Sequence, residues 1–175
     1  TWSPTEIEDF CRLRVRIEAL AAEQAASRVD DAELRRLADR IDAMRQAQSP
    51  LRLEDLIESD LGFHRQVVEA SHNASLIHIY DFMVLRIRMF MIVEKQIYPS
   101  DPQQAAMEET HRRILGALRD GSPERARALM EGHIDESADG LISRMQRGIV
   151  VSPRTAVPTL VESILKGAPV CPTPA

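Results

Sequence analysis

Aromatic residues are scarce in this 175-residue chain, at 4%, while Ala, Leu, Ile and Met are plentiful. That mix favours helices packed on helices, and no alternating strand pattern of useful length is present. Cysteine is nearly absent. Cys11 falls in an apolar helical pattern and Cys171 in a Pro-rich tail, so no structural disulfide is expected and a reducing cytoplasm is the default location. A basic excess is also missing: 22 Lys and Arg stand against 27 Asp and Glu, a formal charge of −5. A domain that grips nucleic acid by itself usually carries a basic balance or face. The Arg35-Arg36 and Arg112-Arg113 pairs are interleaved with acids and read as solvated helix faces. No apolar run approaches the ~18–20 residues that span a bilayer, so no membrane partner is expected. The longest, Met83 to Val93, is broken by Arg86 and Arg88. Within these residues no signal peptide is visible, nor an internal repeat, Gly-rich phosphate loop, Gly-x-Ser-x-Gly elbow or His-Glu-x-x-His pair.

What is present reads as one all-α domain, an antiparallel bundle of six to seven helices. Ser3-Pro-Thr-Glu6 is a capping box with Pro at the first helical position. It predicts a long helix to about Arg28, with Ile7, Phe10, Leu13, Ile17 and Leu20 on its apolar face. Asp30-Asp-Ala-Glu33 is a second capping box and opens a helix carrying Leu34, Leu37, Ile41 and Met44. Ser49-Pro50 breaks the chain, and a third helix follows to about Ser71, stopped at His72-Asn73. Ser75 to Glu94 is apolar nearly all round and reads as the most buried helix. Tyr98 to Pro102 is a loop; a fifth helix ends at Asp120-Gly121, and Ser122-Pro-Glu124 opens a sixth to about Arg147. Residues 1–148 form the expected bundle and 149–175 a C-terminal extension, with a short helix over Thr159 to Lys166 and a disordered end from Pro169 to Ala175. The chain starts without an initiator Met, which fits a processed protein or a fragment.

Four residues carry chemistry. Asp60 and His64 are four apart, which places both on one helix face, shared with Ile57, Leu61 and Val68. His111 shares its face with Met107, Ile114, Leu115 and Leu118; His133 shares its own with Ala126, Leu129 and Met130. One carboxylate and three imidazoles suit zinc, nickel, iron or manganese. A carboxylate turned inward needs a cation or strong donors. The plain alternative is three separate core histidines, each satisfied by a backbone carbonyl, and an Asp at a helix edge. His72 and His78 read as structural or surface residues. Two enzyme readings compete. Glu69-x-x-His72 and Glu108-x-x-His111 resemble the paired motif of di-iron carboxylate bundles, with Glu18 or Glu23, and Glu94, as further ligands. A mononuclear metal hydrolase would need a general base, for which Glu108 is nearest in sequence.

Several stretches together resemble the effector-binding C-terminal (FCD) domain of GntR-type bacterial transcription regulators of the FadR subgroup. They are Arg14-Val-Arg-Ile-Glu18, Asp60-Leu-Gly-Phe-His64-Arg, Ser71-His-Asn73, His111-Arg-Arg-Ile-Leu-Gly-Ala-Leu, and Asp120-Gly-Ser-Pro-Glu-Arg-Ala-Arg with Met130-Glu-Gly-His133. The likeness runs from about Trp2 to about Arg147. It implies a sensor, not an enzyme: Asp60, His64, His111 and His133 would hold one divalent metal ion, with zinc, nickel or manganese the expected choices. A small carboxylate-bearing metabolite would sit against the metal, and Arg14 would be its partner. The same Arg14 has a simpler use, an intrahelical ion pair with Glu18. The resemblance also implies a homodimer, and contact with DNA only through a winged helix-turn-helix domain that is not in this chain. Two positions depart from the family pattern. Arg12 stands where an acid is frequent, and His72 stands where Gly usually precedes the Asn.

Overall fold

A computed structural model of the chain describes residues 3–97 and 102–146. The expected loop at Tyr98 to Asp101, the helix at Thr159 to Lys166, the disordered end and Cys171 lie outside the described residues. Six helices follow in order: α1 Pro4–Ala26, α2 Asp31–Gln48, α3 Leu53–Ala70, α4 Ala74–Ile97, α5 Pro102–Arg119 and α6 Pro123–Gln146. No strand forms among the described residues; a lone bridge joins Gln48 and Leu51.

The helix ends follow local chemistry. Both capping boxes form: Glu6 N–H donates to Ser3 Oγ at 3.2 Å, and Glu33 N–H donates to Asp30 Oδ1 at 2.7 Å. α5 closes in a Schellman turn. Gly121 N–H donates to Leu118 O and Ser122 N–H to Ala117 O, with Gly121 at φ +60°. α3 ends similarly, but with His72 in the left-handed position at φ +51°. Asn73 then caps α4, its Oδ1 accepting from Ser75 and Leu76 N–H, while its Nδ2 donates to Gln24 of α1.

α3 carries two of the four candidate site residues and packs against three helices. α2 and α4 pack against it, α1 touches it, and α1 lies along α6, which in turn packs on α5. The short connections around residues 71–73 and 120–122 make their flanking helices antiparallel neighbours. Two faces of α3 feed two apolar clusters. Leu56, Phe63 and Val67 join Leu37, Ile41, Ile114 and Met130 in one; Ile57, Leu61 and Val68 join Tyr80, Met83 and Ile87 in the other.

Two sequence expectations are corrected here. α4 is not the most buried helix. It buries one stripe, through Leu76, Tyr80, Met83, Ile87 and Phe90, and leaves Ile79, Phe82 and Leu85 exposed. The face of α1 is also rotated from the expected one. Ile7 and Phe10 are buried as expected, but Leu13 and Leu20 are 49% and 41% exposed. The inward stripe continues instead through Val15, Glu18, Ala22 and Ala25. Small Ala side chains let two helix backbones approach closely, so α1 meets α6 through residues that a hydrophobicity count ranks below Leu. That rotation is what turns Arg14 and Glu18 inward.

Candidate metal centre

α3 brings Asp60 and His64 to the interior one turn apart, α5 brings His111, and α6 brings His133. One ligand atom from each of the four lies within 4.8 Å of all the others. Asp60, His64 and His111 are buried and His133 is half-buried. The four residues singled out in the sequence therefore converge, and the alternative of three unrelated core histidines is not what the fold contains.

The tautomers follow from the partners. His111 Nδ1 lies 2.7 Å from the carbonyl of Met107, one turn back on its own helix, and a carbonyl can only accept. His64 Nδ1 lies 2.5 Å from Glu18 Oε2. Each ring is thus held through Nδ1–H, and each Nε2 turns to the centre. His64 Nε2 is 3.2 Å from His133 Nε2 and 3.6 Å from Asp60 Oδ1. His111 Nε2 is 2.9 Å from Asp60 Oδ1, yet its direction makes no hydrogen bond. The distance is therefore read as proximity of two ligand atoms. Phe63 packs its edge against both His64 and His111 and restricts their rotation.

The electrostatics fit a cation site. Burial alone would lower the His64 pKa, but the Glu18 and Asp60 carboxylates together outweigh it and raise the pKa to about 8. Burial, then the His111 and His64 rings, push His133 well below the usual imidazole value. Three Nε2 atoms and a carboxylate oxygen, with two of the imidazoles oriented through Nδ1 by a second partner, make a donor set suited to a divalent metal.

Arg14 and Glu18 form the second layer. Arg14 Nε donates to Glu18 Oε1 at 2.5 Å, so the simpler use of Arg14 is realised. The pair is not a surface one: the Arg14 side chain is 11% exposed and that of Glu18 is 0%. Burial disfavours the Arg14 charge, but Glu18, Tyr80 and Asp60 act in its favour and its pKa rises. Burial likewise disfavours the Glu18 carboxylate, but Arg14 and then His64 bring it down to about 2. Tyr80 of α4 is fully buried, and its hydroxyl has no protein hydrogen-bond partner. Burial raises its pKa, and the charges acting on it most strongly are Glu18, Arg14 and Asp60.

The residues of the di-iron reading that are described do not gather at this centre. Glu69 pairs with Arg65 at the surface, and His72 is half-exposed and pairs with Glu33. Glu108 is taken by Arg112, and Glu23 by Arg127. The side chain of Glu94 lies outside the described residues. His72 and His78 are exposed, as expected. Neither the place of Glu18 beside His64 nor the burial of Tyr80 was legible in the sequence. The inward Ala stripe of α1 was the available signal for Glu18; for Tyr80 there was only its rarity.

The chain belongs to the FCD domain family, whose model matches residues 9–136, and FCD domains are regulatory rather than catalytic. Its fold is similar to that of E. coli McbR/YncC, with a TM-score of 0.71 at 17% identity over 80% of this chain and 69% of that one. Streptococcus agalactiae GntR gives 0.64 at 22% identity over 75% of this chain and 57% of that one. The metal-free FCD domain of the regulator TM0439 gives 0.65 at 14% identity over 84% of this chain and 99% of that one. The chain thus spans just over half of the GntR structure and nearly all of the isolated FCD domain. No curated protein matches it in sequence. None of the described helices is long and apolar enough to cross a membrane.

Proposed function

We propose that this regulatory domain senses a small organic acid through one divalent metal ion held by Asp60, His64, His111 and His133. The observation that carries the reading is the convergence of three Nε2 atoms, two of them on rings anchored through Nδ1, with one carboxylate in the same 4.8 Å cluster. The donor set suits zinc, nickel or manganese. Bound there, such an ion would supply a Lewis-acid anchor for a carboxylate oxygen.

Arg14 is the candidate partner for the rest of that carboxylate, since a guanidinium offers a planar fork that matches it. The unpartnered Tyr80 hydroxyl, in the field of Arg14, supports a polar pocket on that side. A buried hydroxyl without a partner costs about 1–3 kcal/mol, which an oxygen-rich ligand would recover. DNA contact would belong to a winged helix-turn-helix domain outside these 175 residues. The effector would act by favouring one arrangement of a homodimer, and only to the extent that it binds the two arrangements with different affinity. The exposed Ile79, Phe82 and Leu85 of α4 are the candidate dimer face.

The test is metal content by elemental analysis of protein purified without chelator, beside His111→Ala and His133→Ala. About one divalent ion per chain, lost in both variants, is expected. Acetate, as the simplest carboxylate, should then bind the loaded protein more tightly than the stripped one. Absence of metal after re-loading of the wild type would refute the reading.

A further inference from the structure

Glu18 spends each of its two oxygens on a different subsite. Oε1 accepts from Arg14 Nε and Oε2 from His64 Nδ1, both at 2.5 Å, and the side chain is wholly buried. Buried ion pairs seldom add much net stability, because desolvation offsets their attraction. A buried carboxylate shared between a candidate metal ligand and a candidate effector ligand has another use. We propose that Glu18 is a positioning residue that couples the two subsites, so that metal binding at His64 tightens carboxylate binding at Arg14. This rests on the metal-and-effector reading above.

The chemistry has three steps, all within this chain. Glu18 can only accept at Oε2, so it keeps the proton of His64 on Nδ1 and leaves the Nε2 lone pair for a cation. His64, once its Nε2 is engaged by a cation, becomes a stronger donor from Nδ1. Glu18 then shifts electron density toward His64, and its other oxygen holds Arg14 less strongly. Arg14 is freed in part to take an incoming carboxylate. Linkage requires the reverse as well: a carboxylate on Arg14 releases Glu18 toward His64 and tightens the metal. Neighbouring charges respect this arrangement. Asp60, 3.6 Å from the other ring nitrogen of His64, acts on both His64 and Arg14, and Tyr80 acts on Arg14.

Glu18→Gln tests the idea with nearly no change of shape. An amide accepts through its oxygen alone, and its NH2 would face an N–H donor of either Arg14 or His64. Zinc affinity, measured by competition with a chromogenic chelator, should weaken about 10–100-fold. The factor by which zinc improves acetate binding should fall by about five-fold or more. A purely structural Glu18 would lower the melting temperature and leave that factor unchanged. If Glu18→Gln does not fold, the zinc-loaded wild type still decides. Long-range 15N–1H correlation should show His64 with a far-downfield, slowly exchanging Nδ1 proton and a metal-bound Nε2. Metal on Nδ1, or a rapidly exchanging Nδ1 proton, overturns the proposal. Wild type that binds zinc and acetate beside a Glu18→Gln variant with the same zinc affinity and coupling factor overturns it too, and leaves the sensor reading intact. Wild type that binds neither defeats both.

Discussion

His72 sits at the C-terminal end of α3 with φ +51°, a region in which only glycine is at ease. Its backbone N–H donates to Glu69 O, as the turn demands, and its ring bonds Glu33 at 3.0 Å. The Ser71 hydroxyl completes the turn, donating to Val68 O and accepting from Asn73 N–H. The left-handed conformation costs a residue with a Cβ about 1–2 kcal/mol. Glycine relieves that, less about 0.5–1 kcal/mol for its greater freedom when unfolded. His72→Gly should therefore be as stable as wild type or slightly more so in urea denaturation. His72→Ala, which keeps the strain and loses Glu33, should be less stable than either. The reverse order would mean that the exposed Glu33 contact outweighs the backbone. At this scale the sequence was informative: the candidate ligands Asp60 and His64 share one helix face, as their spacing implies, and meet His111 and His133. Glu18 was hidden because a carboxylate four residues after an Arg looks the same whether the pair faces water or the core.

At the scale of the element, helix limits were legible because caps are local. Ser3 and Asp30 announce α1 and α2, and Gly121 ends α5, through bonds made within a few residues. Helix faces were less legible. The rotation of α1 puts Ala22 at the contact with the bundle, fully buried, and Leu13 and Leu20 outside. Ala22→Leu should destabilise the domain by about 1–3 kcal/mol through overpacking. Leu13→Ala should cost no more than about 0.5 kcal/mol. A core Leu in the same exchange would lose about 2–5 kcal/mol. Chemical denaturation of the two variants distinguishes the observed face from the one that hydrophobicity alone would select.

For the whole molecule, the unburied apolar stripe of α4 matters most. Phe82 is 89% exposed, and Leu85 and Ile79 lie one helical turn to either side of it. A large exposed aromatic flanked by apolar residues is the pattern of an interface centre. In the proposed homodimer, Phe82→Glu should yield a species of one-chain mass by light scattering, without loss of helicity. A wild type that is already of one-chain mass at high concentration would remove α4 as the dimer face. This stripe is also why α4 read as buried: a helix apolar on both sides looks the same in sequence whether a neighbouring helix or a second subunit covers it.

The helices, their order and their ends were determined by the sequence itself, since capping, turn chemistry and periodicity act over a few residues. So was the identity of the four polar residues that had to face inward. Tertiary structure alone decided which helices pack on α3, that α1 turns its Ala stripe inward, and that Glu18 lies between Arg14 and His64. Those choices depend on how closely two helices approach and on which charges meet across 46 residues of chain. Such distances are set by the packing of the whole bundle and leave no mark on any one segment.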